Sequence, residues 1–145
     1  MKEILELLKK SIVTIAFMLK NNNSLDLGKI TMDINNTGDM VKKFDIMSNE
    51  ILIKNLKKCS SIRRIFSEEI EEPIMVNPKG KYMVTFDPLD GSGNLDVNIS
   101  SGTIFGIFID DDNDIIKASN IVAAGYGLYS AATQYVEVVD SINIY

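Results

Sequence analysis

The chain has 145 residues, of which 46% are hydrophobic and 24% are charged, the size and balance of one globular domain. Its 20 acidic residues outnumber its 15 basic residues, which argues against a nucleic-acid partner, because phosphate backbones require clustered lysine and arginine. Histidine is absent, so imidazole general acid–base catalysis, imidazole activation of a nucleophile and histidine metal ligation are excluded.

Cysteine usage and the N-terminal residues indicate the cellular compartment. The single cysteine, Cys59, cannot form an internal disulfide, so a reducing compartment is expected. The N-terminus leads into an amphipathic pattern rather than a signal peptide, and no apolar run approaches membrane-spanning length. We therefore expect a cytoplasmic protein without a membrane partner.

The first third of the chain has the pattern of two helices. Apolar residues recur at helical spacing over 3–20, which predicts a helix with one face on a core. The polar stretch 21–38, with its asparagines and glycines, predicts a mobile loop. A second helix is expected over 39–58.

The remainder of the chain is mainly of strand type. Short β-rich segments bounded by turns predict strands over 62–66, 74–76, 82–86 and 103–109. Residues 110–114 predict an acidic surface turn, since a calcium loop would need a central glycine and a terminal glutamate. The predicted elements that follow are a helix over 119–129 and strands over 133–139 and 142–145. Because the sequence stops inside the last of these, we expect an incomplete domain.

Two clusters of carboxylates follow predicted strands. Ser67-Glu68-Glu69 comes directly after the strand 62–66, and a run from Phe86 to Asn94 comes directly after the strand 82–86. Loops at strand ends can converge on one site.

The second cluster has the composition of a metal and phosphate site. Asp87 and Asp90 lie three residues apart with Pro88 between them, and two hard carboxylates on one turn suit Mg²⁺ or Mn²⁺. Gly91, Ser92 and Gly93 follow, and such a segment can hold a phosphate with its backbone amides. A plain polar turn is the alternative, since these residues also favour turns.

The run Asp-Pro-Leu-Asp-Gly-Ser at 87–92 resembles the metal-binding motif of the lithium-sensitive sugar phosphatase superfamily. Segments at 41–50, 67–69, 102–107 and 122–129 narrow this resemblance to the class I fructose-1,6-bisphosphatases, and only to their N-terminal half. The resemblance implies an α+β fold, a layered sandwich of the sugar phosphatase type in which two N-terminal helices pack on a mixed or antiparallel sheet. It also implies that 1–145 is one incomplete domain that lacks the sugar-binding C-terminal half.

The resemblance assigns roles to individual residues. Asp45 and Glu69 would orient and deprotonate the attacking water, and Asp39, on the loop, would complete a metal site when that loop closes. Lys81 and Tyr82 match positions that bind AMP phosphate in allosteric members, although a first helix of that site is largely absent here. Metal ligands would be Glu68, Asp87, Asp90 and the Leu89 carbonyl, and Gly91, Ser92, Gly93 and Asn94 would bind the substrate phosphate. Gly93 replaces a serine of many members.

The function implied is hydrolysis of the 1-phosphate of fructose 1,6-bisphosphate in gluconeogenesis or Calvin-type carbohydrate metabolism. Two to three Mg²⁺ or Mn²⁺ ions per site and a homo-oligomer, a tetramer in the family, are implied with it. Because a sugar-binding half is missing, we expect impaired activity. Three alternatives stay open: a sedoheptulose-bisphosphatase, a phosphatase of the inositol monophosphate type, and a non-catalytic homologue that serves as a binding or regulatory subunit.

Overall fold

A computed structural model describes residues 1–26, 35–97, 99–113 and 116–139; the side chains of 22–26, 35–42, 96 and 97 lie outside the description. The elements, in chain order, are α1 (Lys2–Asp26), α2 (Asn35–Leu56), β1 (Ile62–Ser67), β2 (Ile74–Met75), β3 (Tyr82–Asp90), β4 (Ser101–Ile109), β5 (Ile121–Tyr129) and β6 (Gln134–Val139). Two 3₁₀ segments, Ser92–Val97 and Ala118–Asn120, precede β4 and β5.

The strands form one mixed sheet in the order β2-β1-β3-β4-β5-β6. β1 and β3 pair in parallel, whereas the other neighbouring pairs are antiparallel. The C-terminal ends of β1 and β3 therefore lie at the same edge of the sheet, where the two carboxylate clusters begin. Both helices pack on one face of this sheet, so the expected α+β architecture is confirmed.

The core lies between the two helices and the sheet. α1 contributes a fully buried stripe at helical spacing, which includes Ile4, Leu8 and Ile12. α2 adds Leu52 and Leu56, and the strands add their inward-facing residues. Those inward residues alternate along β3 and β4, whereas a register shift in β1 separates two of them by three residues. They include Ile62, Ile65, Val84, Phe86, Phe105, Ile107 and Ala123.

The predicted loop over 21–38 is wrong at both ends. α1 continues to Asp26, and α2 begins at Asn35. Asn21 does not stop α1, because its side-chain amide donates a 2.7 Å hydrogen bond to the carbonyl of Phe17 on the exposed side of the helix. A polar asparagine therefore continues the helix here instead of ending it. Residues 27–34 lie outside the described part of the chain.

The predicted helix over 119–129 is wrong, because Ile121–Tyr129 form β5 and residues 119–120 end a 3₁₀ segment. A β-carbon on Gly127 would lie 2.4 Å from Ile12 of α1, and one on Gly125 would lie 2.5 Å from the ring of Phe105. The two glycines thus let α1 and the neighbouring strand β4 approach the backbone of β5 closely. Their tertiary contacts override the helix preference of the alanines beside them.

The other face of the sheet carries a row of exposed apolar side chains. Ile104, Tyr126 and Val136 are paired across β4, β5 and β6, and they are 49%, 43% and 37% exposed. Asp87 of β3 pairs with Ile104 and so continues the row. We call this surface the open face, and it joins the carboxylates to an apolar groove of about 500 Å³.

The acidic turn after β4 is held by arginines at the opposite end of β1. The Arg64 guanidinium binds Asp110 through two hydrogen bonds of 2.8 and 2.7 Å and also donates to the carbonyl of Asn113. Arg63 pairs with Asp112. The described residues 110–113 therefore form a braced turn. The strand expected over 142–145 lies outside the description, and no helix of the described residues is long and apolar enough to cross a membrane.

Candidate metal and phosphate site

The paired glutamates lie on a turn directly after β1. The backbone N–H of Glu68 donates to the carbonyl of Phe86 on the parallel strand β3, at 3.1 Å. The N–H of Glu69 donates to the hydroxyl of Ser67, at 3.3 Å, and the N–H of Ile70 donates to the Ser67 carbonyl. These bonds hold the turn against the end of β3, so both glutamate side chains are presented to solvent beside the second cluster.

Asp87 and Asp90 lie at the end of β3, where the pairing with β4 is irregular. Pro88 has no N–H to donate to the ladder, which accounts for an irregularity at this point. The Asp87 carboxylate accepts a 3.0 Å hydrogen bond from the N–H of Leu89. The Leu89 side chain is buried in the core, and this burial anchors the Asp87–Asp90 segment to the core.

Asp45 joins these carboxylates from α2, and the clustering changes their acidity. Burial raises the pKa of Asp45, and the charges of Asp87 and Glu68 raise it further, while a hydrogen bond from Ser92 lowers it in part. Burial raises the pKa of Glu69 most, and its hydrogen bond with Glu68 and the charges of Asp45 and Asp87 add to this.

The same two causes act on Asp87. Burial raises its pKa, and the charges of Asp90 and Glu68 raise it further, while the Leu89 N–H lowers it in part. The structure therefore brings Asp45, Glu68, Glu69, Asp87 and Asp90 into one electrostatic cluster, which we call the carboxylate cluster.

The carboxylate cluster fits a divalent cation in its chemistry. Its donors are carboxylate oxygens, which Mg²⁺ and Mn²⁺ prefer, and a cation would relieve the repulsion that raises the pKa values. In the described part of the chain, however, no three acidic residues come close enough together to chelate one ion. The candidate ligands are thus neighbours, but their carboxylates do not form a chelating site.

A glycine-containing turn follows the carboxylates. Gly91 has a φ of +73°, and a β-carbon there would lie 2.9 Å from the side chain of Asn94. The N–H of Asn94 donates a 2.8 Å hydrogen bond to the Gly91 carbonyl, which starts the 3₁₀ segment. A β-carbon at Gly93 would meet nothing within 4 Å. A cavity of about 270 Å³, lined in part by Asp90, Gly91 and Asn94, opens beside this turn.

Three predicted site residues are not part of the carboxylate cluster as the structure describes it. Asp39 lies within α2 rather than on a loop, because the helix begins at Asn35, and its side chain is not described. Tyr82 begins β3, about 17 Å from Asp87 at 3.3 Å per residue, and Lys81 directly precedes it. The Lys81 ammonium lies over the Tyr82 ring, at 5.5 Å.

Four supporting residues received no role from the sequence. Ser67 and Asn49, both buried, join the glutamate turn to α2 through a 2.8 Å hydrogen bond. Thr103 and Tyr129 lie below the Asp87–Asp90 segment, and the Thr103 hydroxyl donates to the Pro88 carbonyl. Only their positions in the sequence could have indicated this role for Ser67 and Asn49: Ser67 precedes Glu68, and Asn49 follows Asp45 by one helical turn.

A mixed sheet with two helices on one face, and carboxylates beside a glycine turn where its parallel strands end, defines a domain of the sugar phosphatase type. The family model described as fructose-1-6-bisphosphatase, N-terminal domain, matches residues 1–143. The chain belongs to the fructose-1,6-bisphosphatase family.

Individual relatives agree with this assignment. The chain is 37% identical over 145 residues to a class 1 fructose-1,6-bisphosphatase of Campylobacter jejuni, covering 100% of this chain and 49% of that protein. It is 41% identical to fructose-1,6-bisphosphatase 1 of Bos taurus, covering 94% of this chain and 43% of the relative. The chain therefore spans about half the length of the curated relatives that it matches.

A solved structure supports the fold. The holo form of Leishmania major fructose-1,6-bisphosphatase superposes with a TM-score of 0.78 at 28% identity, covering 94% of this chain and 42% of that one. The apo form of the same enzyme gives a TM-score of 0.72 at 26% identity.

Proposed function

We propose that this chain supplies the metal- and phosphate-binding part of a site that hydrolyses the 1-phosphate of fructose 1,6-bisphosphate to fructose 6-phosphate and phosphate. The proposal depends above all on one observation: Asp45, the Glu68–Glu69 pair and Asp87 lie far apart in sequence, yet each acts on the pKa of another. Like charges are rarely gathered at a strand end without a function.

The candidate ligands of Mg²⁺ or Mn²⁺ are Glu68, Asp87, Asp90 and the Leu89 carbonyl, with Asp39 as a further carboxylate. Two to three bound ions would polarise the phosphoryl group and neutralise charge that develops on its oxygens. Their binding also requires the carboxylates to be ionised, and a bound cation would favour the ionised form and so lower the raised pKa of Asp87.

The chain's own groups would then position substrate and water. The amides of Gly91, Ser92 and Gly93 would hold the 1-phosphate, with the Asn94 side chain beside it. Asp45 and Glu69 would orient a water molecule and accept its proton. A raised pKa makes these carboxylates stronger bases than ordinary ones, as this role requires.

A chimera tests the activity. These 145 residues would replace the matching 49% of the Campylobacter jejuni enzyme, and phosphate release from fructose 1,6-bisphosphate would be measured with and without MgCl₂. We expect Mg²⁺-dependent release that Glu68→Ala and Asp87→Ala each reduce at least a hundredfold. Glu72→Ala, which removes an exposed carboxylate further along the same loop, is the charge-matched control.

Turnover of other phosphate esters by the same chimera separates the alternative functions. Faster turnover of sedoheptulose 1,7-bisphosphate or inositol 1-phosphate than of fructose 1,6-bisphosphate would replace the proposed substrate. A folded chimera that releases no phosphate from any of them would support the non-catalytic binding or regulatory subunit. We also propose that the whole protein is a homotetramer, which light scattering would test. A second proposal, an AMP site at Lys81 and Tyr82, would be tested by AMP titration.

A further inference from the structure

One buried polar contact links the two segments that supply the proposed proton acceptors. The hydroxyl of Ser67, the last residue of β1, donates a 2.8 Å hydrogen bond to the side-chain oxygen of Asn49 on α2. Both residues are 8% exposed. The bond joins residues 18 apart in sequence.

Each partner of this bond is also connected to a carboxylate. Asn49 follows Asp45 by four residues, one turn of α2, so both side chains lie on the same side of the helix. Ser67 precedes Glu68, and its hydroxyl oxygen accepts the backbone N–H of Glu69 at 3.3 Å. The Ser67 hydroxyl thus donates toward α2 and accepts from the glutamate turn.

We propose that Ser67 and Asn49 are a pair of positioning residues that fixes the distance between Asp45 and the Glu68–Glu69 turn. The inference rests on the proposed function, because that function requires carboxylates from α2 and from the glutamate turn to act on the same water and metal. Apolar packing between two segments does not specify their direction. A buried hydrogen bond does, because its strength depends on distance and angle.

The experiment measures Mn²⁺ affinity of the 145-residue chain by calorimetry, below its melting temperature. Asn49→Ala and Ser67→Ala are each expected to weaken Mn²⁺ binding roughly tenfold, the usual effect of losing a group that orients a metal ligand. The double variant should lose no more than Ser67→Ala alone, because the bond that Asn49→Ala removes is already broken in Ser67→Ala. If Ser67→Ala does not fold, Asn49→Ala alone decides the question.

Asn55→Ala is the matched control. It removes a 3.0 Å hydrogen bond from the Asn55 amide to the hydroxyl of Ser11, which joins α2 to α1 further along the same helix. It should lower the melting temperature as much as Asn49→Ala does, without a change in Mn²⁺ affinity. A structural role alone would make Asn49→Ala behave as Asn55→Ala does.

The outcomes separate this inference from the proposed function. Unchanged affinity in Asn49→Ala and Ser67→Ala, or losses that add in the double variant, would overturn the positioning role while the metal site stands. Absence of Mn²⁺ binding by the parent, or binding that Asp87→Ala leaves unchanged, would overturn the proposed metal site and this inference with it.

Discussion

The hydroxyl of Thr103, the third residue of β4, lies 2.8 Å from the carbonyl oxygen of Pro88 and donates a hydrogen bond to it. The same hydroxyl lies 2.5 Å from the phenol oxygen of Tyr129 on β5. Thr103 has one proton and Pro88 can only accept, so the Tyr129 hydroxyl donates to Thr103. This buried chain of bonds supports the Asp87–Asp90 segment from the strands beneath it.

Thr103→Val should therefore lower the free energy of unfolding by about 1–3 kcal/mol, because the Pro88 carbonyl and the Tyr129 hydroxyl both lose a buried partner. Thr103→Ser keeps the hydroxyl and should lose less. Urea unfolding of the two variants checks this order. Equal stability of Thr103→Val and the parent would show that the bonds contribute nothing.

Asp87→Asn should raise the melting temperature at pH 7 in EDTA and abolish the stabilisation that Mg²⁺ gives the parent. The folded chain raises the pKa of Asp87 above its ordinary 3.8, so ionisation destabilises the fold as the pH rises through the folded pKa. Asparagine carries no such charge. At pH 3, where the carboxyl is protonated in both states, the gain should vanish. Thermal melts at both pH values, with and without Mg²⁺, measure it.

Gly91→Ala and Gly93→Ser should differ sharply in stability. Gly91 has a φ of +73°, where a side chain costs about 1–2 kcal/mol, and its β-carbon would crowd Asn94. A β-carbon at Gly93 points into open space, so Gly93→Ser should change the free energy of unfolding by less than about 0.5 kcal/mol. Denaturant titrations test both. A destabilised Gly93→Ser would mean that the turn is packed more closely than described.

Asp110→Asn should destabilise the chain at neutral pH, with the difference shrinking below about pH 4. The Asp110 side chain is fully buried against Arg64. Burial alone would raise its pKa, but the hydrogen bonds and charge of Arg64, with the Asp112 N–H, hold the pKa below its ordinary value. The pair therefore stabilises the fold above that value, and this contribution is lost as the pH falls through the folded pKa.

Stability curves from pH 7 to pH 2 measure this dependence. Glu72→Gln, which neutralises an exposed carboxylate, is the control, and its curve should follow that of the parent. A difference between Asp110→Asn and the parent that persists unchanged to pH 2 would contradict the role of the charged pair.

The open face should bind a hydrophobic dye such as anilinonaphthalene sulfonate. Tyr126→Lys combined with Val136→Lys should reduce dye fluorescence severalfold, because these residues are adjacent in the apolar row, while stability changes by less than about 1 kcal/mol. Val13→Lys, at an exposed apolar position on α1, is the control and should leave fluorescence unchanged. Equal loss in the control would show that the dye binds elsewhere.

Much of the fold follows from local pattern. The spacing of Ile4, Leu8 and Ile12 predicts α1, and the burial of those residues confirms it. Short β-rich runs likewise identify β1, β3 and β4, although the strands extend one to four residues beyond the predicted ends. The failure at β5 is also physical: alanine and glycine carry little β preference, and the contact of Gly127 with Ile12 is remote in sequence.

By itself, the sequence determined the helix faces, most of the strands, the choice of Asp87 and Asp90 as candidate ligands, and membership in a family through motifs that are contiguous in the chain. Only the tertiary structure decided that β1 and β3 run in parallel, that Asp45 shares an electrostatic cluster with Glu69, and that Ser67 and Asn49 hold these segments together. Periodicity and turn chemistry act over a few residues and can be read locally. Distances between remote segments are set by packing and buried hydrogen bonds, which no single stretch of sequence contains.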